Sequence, residues 1–476
     1  MFCMVKSARI LLCILVFPVF RYAAYRLQNT NLCEISSLFS TSLAYSQSCI
    51  NKLLTQQHLW PFWFKDGNSC CLTVLPAWLL IEHQGQTSLC TRQTNFSYDT
   101  TLISTKFLPT LKRQFSNSIC PHYLISQGFN GGLVGWLSYP SSQQAHLIDF
   151  PSLCFGFYDC FIKEDEHGDS ILYASSEAAS QLIIQHLSQA TTPNFQLQAP
   201  FKQLMSGDDY LKAFTQVQHY LLSGDCYQVN LAQAFKAPCT GVASPAFERL
   251  LQLSNPPYAA YSHSPFGEIL SLSPELFLQF CEDGSVLTRP IKGTRPRKQN
   301  PVDDKAQFDD LQHHPKDRAE NLMIVDLLRN DLAKHAEIGS VKVTKLFKVE
   351  SFPQVHHLIS DISCQLKAGS HPLDLLFDAF PGGSITGAPK KRAMEIIDEL
   401  ENCQRAIYCG SMGYLSVSGR GQWNITIRTL LKVKDSLYAW AGGGIVADSV
   451  CESEYQECFN KIGAILQLLE DEFLAD

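Results

Sequence analysis

Several features that would classify a chain at once are missing here. There is no C-x-x-C pair and no group of Cys and His at zinc spacing, although 18 cysteines are spread over 476 residues. That excludes a structural zinc module and suits scattered, reduced thiols acting as small apolar side chains, as in a cytoplasmic protein. There is no positive excess either: 38 Lys and Arg against 45 Asp and Glu leave a formal net charge of -7. A general nucleic-acid binder is excluded, because its affinity comes from displacing counterions with a basic surface. The apolar run Ile10 to Phe20 stops at eleven residues, too short to cross a bilayer. It follows Lys6 and Arg9 as an export signal would, but Arg21 and Arg26 come directly after it and "RYAAYR" is a poor cleavage site. Residues 1–50 are therefore read as an N-terminal extension of unassigned role. No internal repeat and no low-complexity tract is found.

What is present is an ordinary globular composition, 45% hydrophobic and 17% charged. A first region, 51–195, consists of short aromatic-rich runs such as "GGLVGWLSYP" (131–140) and "SLCFGFYDCFI" (152–162), which read as strands. The polar stretch "ATTPNFQLQAP" (190–200) connects it to a second region, 205–472. There the spacing predicts helices over 207–224, 315–336 and 452–474, strands over 226–235 and 268–280, and a hairpin around "SGRG" in 411–433. Many strands with helices set between them predict an α+β fold with large antiparallel sheets.

One segment conflicts with the acidic balance. "LTRPIKGTRPRK" (287–298) holds Arg289, Lys292, Arg295, Arg297 and Lys298 with no acid among them. The plain reading of such a run is a solvated face or a polyanion patch. Two helices offer counterparts. On 317–333, Glu320, Ile324, Leu327 and Asp331 share one stripe, so a carboxylate opens an apolar face. On the last helix, Glu454, Glu457 and Lys461 stand at i, i+3 and i+7, beside Cys458 and Ile465. The plain readings are a first-turn charge facing the helix dipole and an exposed charged triple. Together, the two faces make a Mg²⁺ site worth naming, with an anionic substrate as a further ligand.

Two glycine-rich segments permit close approach to an anion: "FPGGSITGAPKK" (380–391), which precedes a helix, and "WAGGGIVADS" (440–449), after a strand. The first is not a Walker loop, since Ala388-Pro389 replaces Lys-Ser/Thr. These pieces describe a small, anionic, magnesium-dependent substrate, and they turn the basic run into an anion-recognition element. A lysine between Ile291 and Gly293, kept from water, would have a depressed pKa and act as a nucleophile or base.

"SLSPELFL", "RPIKGTRPR", "DRAENLMIVDLLRNDL", "PGGSITGAPKKRAMEIIDELE" and "ESEYQECFNK" occur in this order between about 205 and 470. In these motifs the chain resembles the chorismate-utilising enzymes, and the likeness extends more weakly to the strand near 130. The resemblance implies two large antiparallel sheets in a sandwich with helices packed outside. Lys292 and Gln228 resemble the branch that makes 4-amino-4-deoxychorismate for folate; the anthranilate-making branch typically has Ala at the lysine position. The resemblance further implies that Lys292 attacks C2 of chorismate and that Glu275 is the general acid for the departing C4 hydroxyl. It implies substrate contacts at Gly293, Thr294, His357, Tyr408, Arg428, Gly442, Gly443, Gly444 and Lys461, and Mg²⁺ on Glu320 and Glu457 with Glu454 beside them.

The chain shows no G-x-C-x-G nucleophile elbow, so the resemblance implies ammonia supplied by a separate glutamine amidotransferase subunit, with no nucleic-acid or membrane partner. "PFWFKDGNSCC" (61–71) departs from the family's Leu-Leu-Glu-Ser feedback motif, while "NPPYAAY" (255–261) resembles the other wall of that site, which leaves tryptophan binding open. Two alternatives stand beside this reading: an anthranilate-making enzyme of the same fold, and a non-catalytic chorismate-binding regulator.

Overall fold

Strand patterning dominates the chain and produces two large antiparallel sheets. The structure, a computed structural model, describes residues 39–43 and 51–475, except 68, 119–127, 142–147, 165–169 and 190–192. The hydrophobic run at 10–20 and most of the N-terminal extension lie outside the described residues. Among the described residues one sheet has 13 strands and the other 12. Each draws on both regions of the chain: Phe62–Asp66 pairs with Ala260–Ser264 in the first, and Gly132–Leu137 with Ser411–Ser416 in the second. The sheets share one apolar core, across which Phe64 stacks on Tyr414 with ring centroids 4.9 Å apart. The expected α+β architecture is observed.

The helices are amphipathic and cover the sheets. Gly207–Leu222 starts where the Ser206 hydroxyl accepts the amide of Asp209, a serine N-cap. Pro315–Ala333 and Cys451–Phe473, here the acidic helix and the C-terminal helix, match the predicted spans to within a few residues. Helix Pro301–His313 differs. Its one buried residue is Leu311, which joins a separate small cluster with Val349 and Leu358.

Two expected strands are interrupted in a way that matters for function. The run 268–280 is not one strand. Gly267–Ser271 lies in the 13-stranded sheet and Leu276–Phe280 in the 12-stranded one. Pro274 sits in the break, and a residue without an N–H cannot continue a ladder. The hairpin around "SGRG" forms as Ser411–Ser416 and Gly421–Asn424, but the chain then crosses back to Thr429–Val433 in the other sheet. The two crossings are bonded together: Ile425 N–H donates to Glu275 O at 3.1 Å and Leu272 N–H to Arg428 O at 3.0 Å.

Candidate active site

Lys292 lies on the strand Ile291–Pro296, which pairs with Val355–Gln365 so that Thr294 faces His357. The register shifts between Ile291 and Thr294, and Gly293 takes the shift with φ +85°, a left-handed conformation that glycine adopts without strain. A Cβ there would also stand 2.8 Å from Leu311 Cδ1 and 3.0 Å from Asp317 Cγ. The bulge aims the half-buried Lys292 at the glycine-rich turn, where Nζ donates to Ser384 O at 3.0 Å. Burial pushes its pKa down, against the opposing charges of Glu320 and Glu275.

The rest of the basic run does something else. Arg289 pairs with Asp361 at 2.7 Å, Arg295 with Asp310 at 2.7 Å and Asp317 at 2.9 Å, and Arg297 with Asp304 at 2.9 Å. Anion recognition by the run as a whole is thus corrected. Its arginines hold helix Pro301–His313 and the neighbouring strand in place, because acids 7 to 72 positions further along the chain reach them first.

Glu275 stands at the first crossing, 4% exposed. Its Oε1 accepts the Ser384 hydroxyl at 2.7 Å. Burial pushes the carboxyl pKa up, and the Ser384 hydrogen bond and the Lys292 charge oppose this. Arg428 stands at the second crossing with φ +51°. It is half-buried, has no ion-pair partner among the described residues, and its pKa is lowered by burial. Nearby His357 is buried and its Nδ1 shares a hydrogen bond with Thr294 Oγ1 at 2.9 Å. Burial first, then the charge of Arg428, holds its pKa down at about 4. Its neighbour His356 instead meets Asp304 at 3.1 Å and Ser351 at 2.8 Å. Tyr408 is buried and stacks on Trp440 at 6.1 Å.

Gly442 to Gly444 lie within the strand Ser436–Ile445, not after it as expected, and pair with Ala232, Leu231 and Asn230. A Cβ on Gly443 would come within 3.1 Å of Glu454 Oε2 and 3.8 Å of Lys461 Nζ; one on Gly444 would strike the Gln228 amide. Lys461 Nζ donates to Gly442 O at 2.9 Å and meets Glu457 at 2.6 Å. Glu454 is buried, accepts the Ser449 hydroxyl at 2.7 Å and meets Lys316 at 3.5 Å. Burial pushes the Glu320 carboxyl up, Lys292 and Lys316 pull it down, and Asp317 and Glu454 add repulsion.

The three glutamates carry the oxygen donors that a hard cation takes, but lysines stand against them: Lys316 against Glu454 and Lys461 against Glu457. Among the described residues no three His, Cys, Asp or Glu side chains converge as a metal cluster. The described cysteines are free thiols, and no described helix is long and apolar enough to cross a membrane.

Sequence reasoning named neither Ser384 nor Lys316 as a functional residue. Ser384 was visible only as part of the glycine-rich turn. The two segments weighed for tryptophan are brought together: Phe64 and Lys65 line a small hollow with Tyr258, Ala260 and Asn424.

Comparison with known proteins adds a separate line. The family model described as chorismate binding enzyme matches residues 76–467. The chain is 47% identical over 354 residues to aminodeoxychorismate synthase component 1 of Salmonella typhimurium, covering 72% of this chain and 78% of that one. It is 35% identical over 369 residues to an anthranilate synthase component 1 of Haloarcula marismortui, covering 71% and 73%. Among solved structures, anthranilate synthase component I from Streptococcus pneumoniae superposes with a TM-score of 0.71 at 26% identity, covering 97% of this chain and 100% of that one.

Proposed function

The chain belongs to the chorismate binding enzyme family, and from that premise we propose that it is an enzyme aminating chorismate at C4. The product is 4-amino-4-deoxychorismate, the precursor of p-aminobenzoate in folate biosynthesis. The observation that carries this reading is Lys292, an amine held on a carbonyl beside the buried Glu275, with burial favouring its neutral form. A neutral amine in such a place is a nucleophile.

Lys292 Nζ bonds to C2 of chorismate as both ring double bonds shift and the C4–O bond breaks. Glu275 gives the departing hydroxyl its proton, so water leaves and a carboxylate remains. Ammonia then bonds to C4 while the C2–N bond breaks, which returns Lys292 as a neutral amine. The surplus proton on the new C4 ammonium passes to Glu275 and resets it. Covalent catalysis of this kind replaces one hard displacement with two easier ones.

Around the ring, Arg428 and Tyr408 take one carboxylate of the dianion, and the Gly442–Gly444 backbone with Lys461 takes the other. Gly293, Thr294 and His357 line the side from which the hydroxyl departs. Glu320, Glu454 and Glu457 would hold Mg²⁺, which would supply positive charge to a dianionic substrate. Ammonia comes from a separate glutamine amidotransferase, a pairing supported by the relatives' designation as component 1.

The test is to incubate the purified chain with chorismate, Mg²⁺ and ammonium at mildly alkaline pH, and to resolve the products by chromatography with mass detection. 4-Amino-4-deoxychorismate is expected. Anthranilate would sink the reading in favour of the anthranilate-making branch. Bound but unconverted chorismate would leave only a binding protein.

A further inference from the structure

We propose that Ser384 is a positioning residue for this site, with its carbonyl holding the Lys292 amine and its hydroxyl holding the Glu275 carboxyl at one fixed spacing. The inference rests on the amination reading above, and it adds a residue that reading does not use. Both bonds are short, 3.0 Å to Nζ and 2.7 Å to Oε1, and Ser384 is 7% exposed. Among the described residues no other side chain is bonded to the Glu275 carboxyl, which is also met by the Ile291 backbone amide.

A residue can set a spacing only if it is itself held. Ser384 lies on the short turn Gly383–Ile385, which is pinned at each end. Thr386 Oγ1 donates to Gly382 O at 3.1 Å, and Asn230 N–H donates to Thr386 O at 2.8 Å. Arg405 Nη1 donates to Ile385 O at 3.2 Å. Arg405 is buried, paired with Glu401 at 2.6 Å, and also donates to Asn230 O at 2.7 Å. From the other side the turn presses on the acidic helix, since a Cβ on Gly383 would lie 2.3 Å from Leu327 Cδ2. The turn is therefore clamped between the strand Gln228–Gly241 and the helix that carries Glu320.

The two bonds act differently. Donation of one N–H to a fixed carbonyl orients the Lys292 amine, so its lone pair points along one direction. Donation of the hydroxyl to Oε1, with the Ile291 backbone amide also bonded to the carboxyl, fixes the carboxyl plane. It also keeps the carboxyl from turning to the Lys292 amine. Without the hydroxyl the carboxyl loses its one side-chain donor and keeps only the Ile291 backbone amide; it turns to the Lys292 amine and passes its proton to it, and the ion pair so formed ties up the nucleophile. Ser384 thus keeps acid and nucleophile apart as well as near.

The experiment uses the full chain with Ser384→Ala, Ser384→Thr, Glu275→Gln and the double variant Ser384→Ala/Glu275→Gln. Turnover and chorismate affinity are measured for the serine variants. The rate at which trinitrobenzenesulfonate modifies Lys292, read by mass spectrometry of its peptide, is measured for all four without chorismate. Ser384→Ala should lower kcat roughly 10- to 100-fold with affinity changed by no more than about twofold, and Ser384→Thr should recover most of it. Lys292 labelling should slow at least about threefold in Ser384→Ala, but not when Glu275→Gln is also present, because no carboxylate is left to capture the amine.

Turnover and labelling unchanged in Ser384→Ala would overturn the proposal. So would an equal loss of affinity and kcat, which would mark a substrate contact, or slowed labelling that persists in the double variant. If the wild-type chain makes no 4-amino-4-deoxychorismate, the amination reading fails on its own, and the labelling contrast still decides whether Ser384 spaces the two groups.

Discussion

From Arg289 to Arg297 each arginine is held by an acid: Asp361, then Asp310 and Asp317, then Asp304. At the crossing near residue 428 the guanidinium is just as withdrawn from water, yet no described carboxylate reaches it. The histidine pair His356 and His357 repeats the contrast: the first meets Asp304, the second only a threonine hydroxyl. Taking a charge out of water is costly unless a partner repays it. Paired cations therefore account for themselves as architecture. Arg428 has no such partner among the described residues, and an anionic ligand explains its cost; Lys292, held on a carbonyl, escapes the cost because burial favours its neutral form.

The comparison makes graded predictions. Lys292→Ala should abolish amination, a loss of roughly a thousandfold or more, read as product by mass detection; a residual rate near wild type would end the nucleophile assignment. Arg428→Ala should lower kcat/KM roughly a hundredfold without lowering the unfolding temperature, since no ion pair is broken. A fall in stability as large as that in activity would place Arg428 with the paired arginines.

His357 tests the same idea by pH. Its folded pKa of about 4 lies below the ordinary value of 6.5. Below about pH 6.5 the unfolded chain takes a proton that the folded chain refuses, so stability should fall as pH drops from about 6.5 to about 4, by about 3 kcal/mol or less. Thermal unfolding across that range should show a shallower decline for His357→Asn. Smallest of all, Arg297→Ala removes a half-exposed pair with Asp304. It should cost about 1 kcal/mol or less of stability and leave kcat/KM within about threefold; a large activity loss there would return the basic run to anion recognition.

Much of the site was legible along the chain because its parts are local patterns. The stripe that puts Glu320 above Ile324, and the turn-spaced Glu454 and Glu457, follow from helical periodicity alone. Glu275 was legible as a motif residue but its setting was not, because a strand pattern across 268–280 does not tell which sheet each half joins. Pro274 is the one local sign of the break. The role of the arginines at 289, 295 and 297 was misread, since their partners lie up to 72 positions away.

By itself, then, the sequence determined the composition class, the three longest helices, and the short segments carrying Lys292, Glu275, Arg428 and the glycines. Those depend on neighbours within a few residues, where propensity and periodicity act. The tertiary structure alone decided which cations are neutralised, where the two strands cross between sheets, and that the turn at Ser384 touches both Lys292 and Glu275. Each of these depends on contacts outside the local window, from 7 positions for Arg297 with Asp304 to 109 for Ser384 with Glu275, or on burial, and a side chain acquires its pKa and its partner only when the sheets close around it.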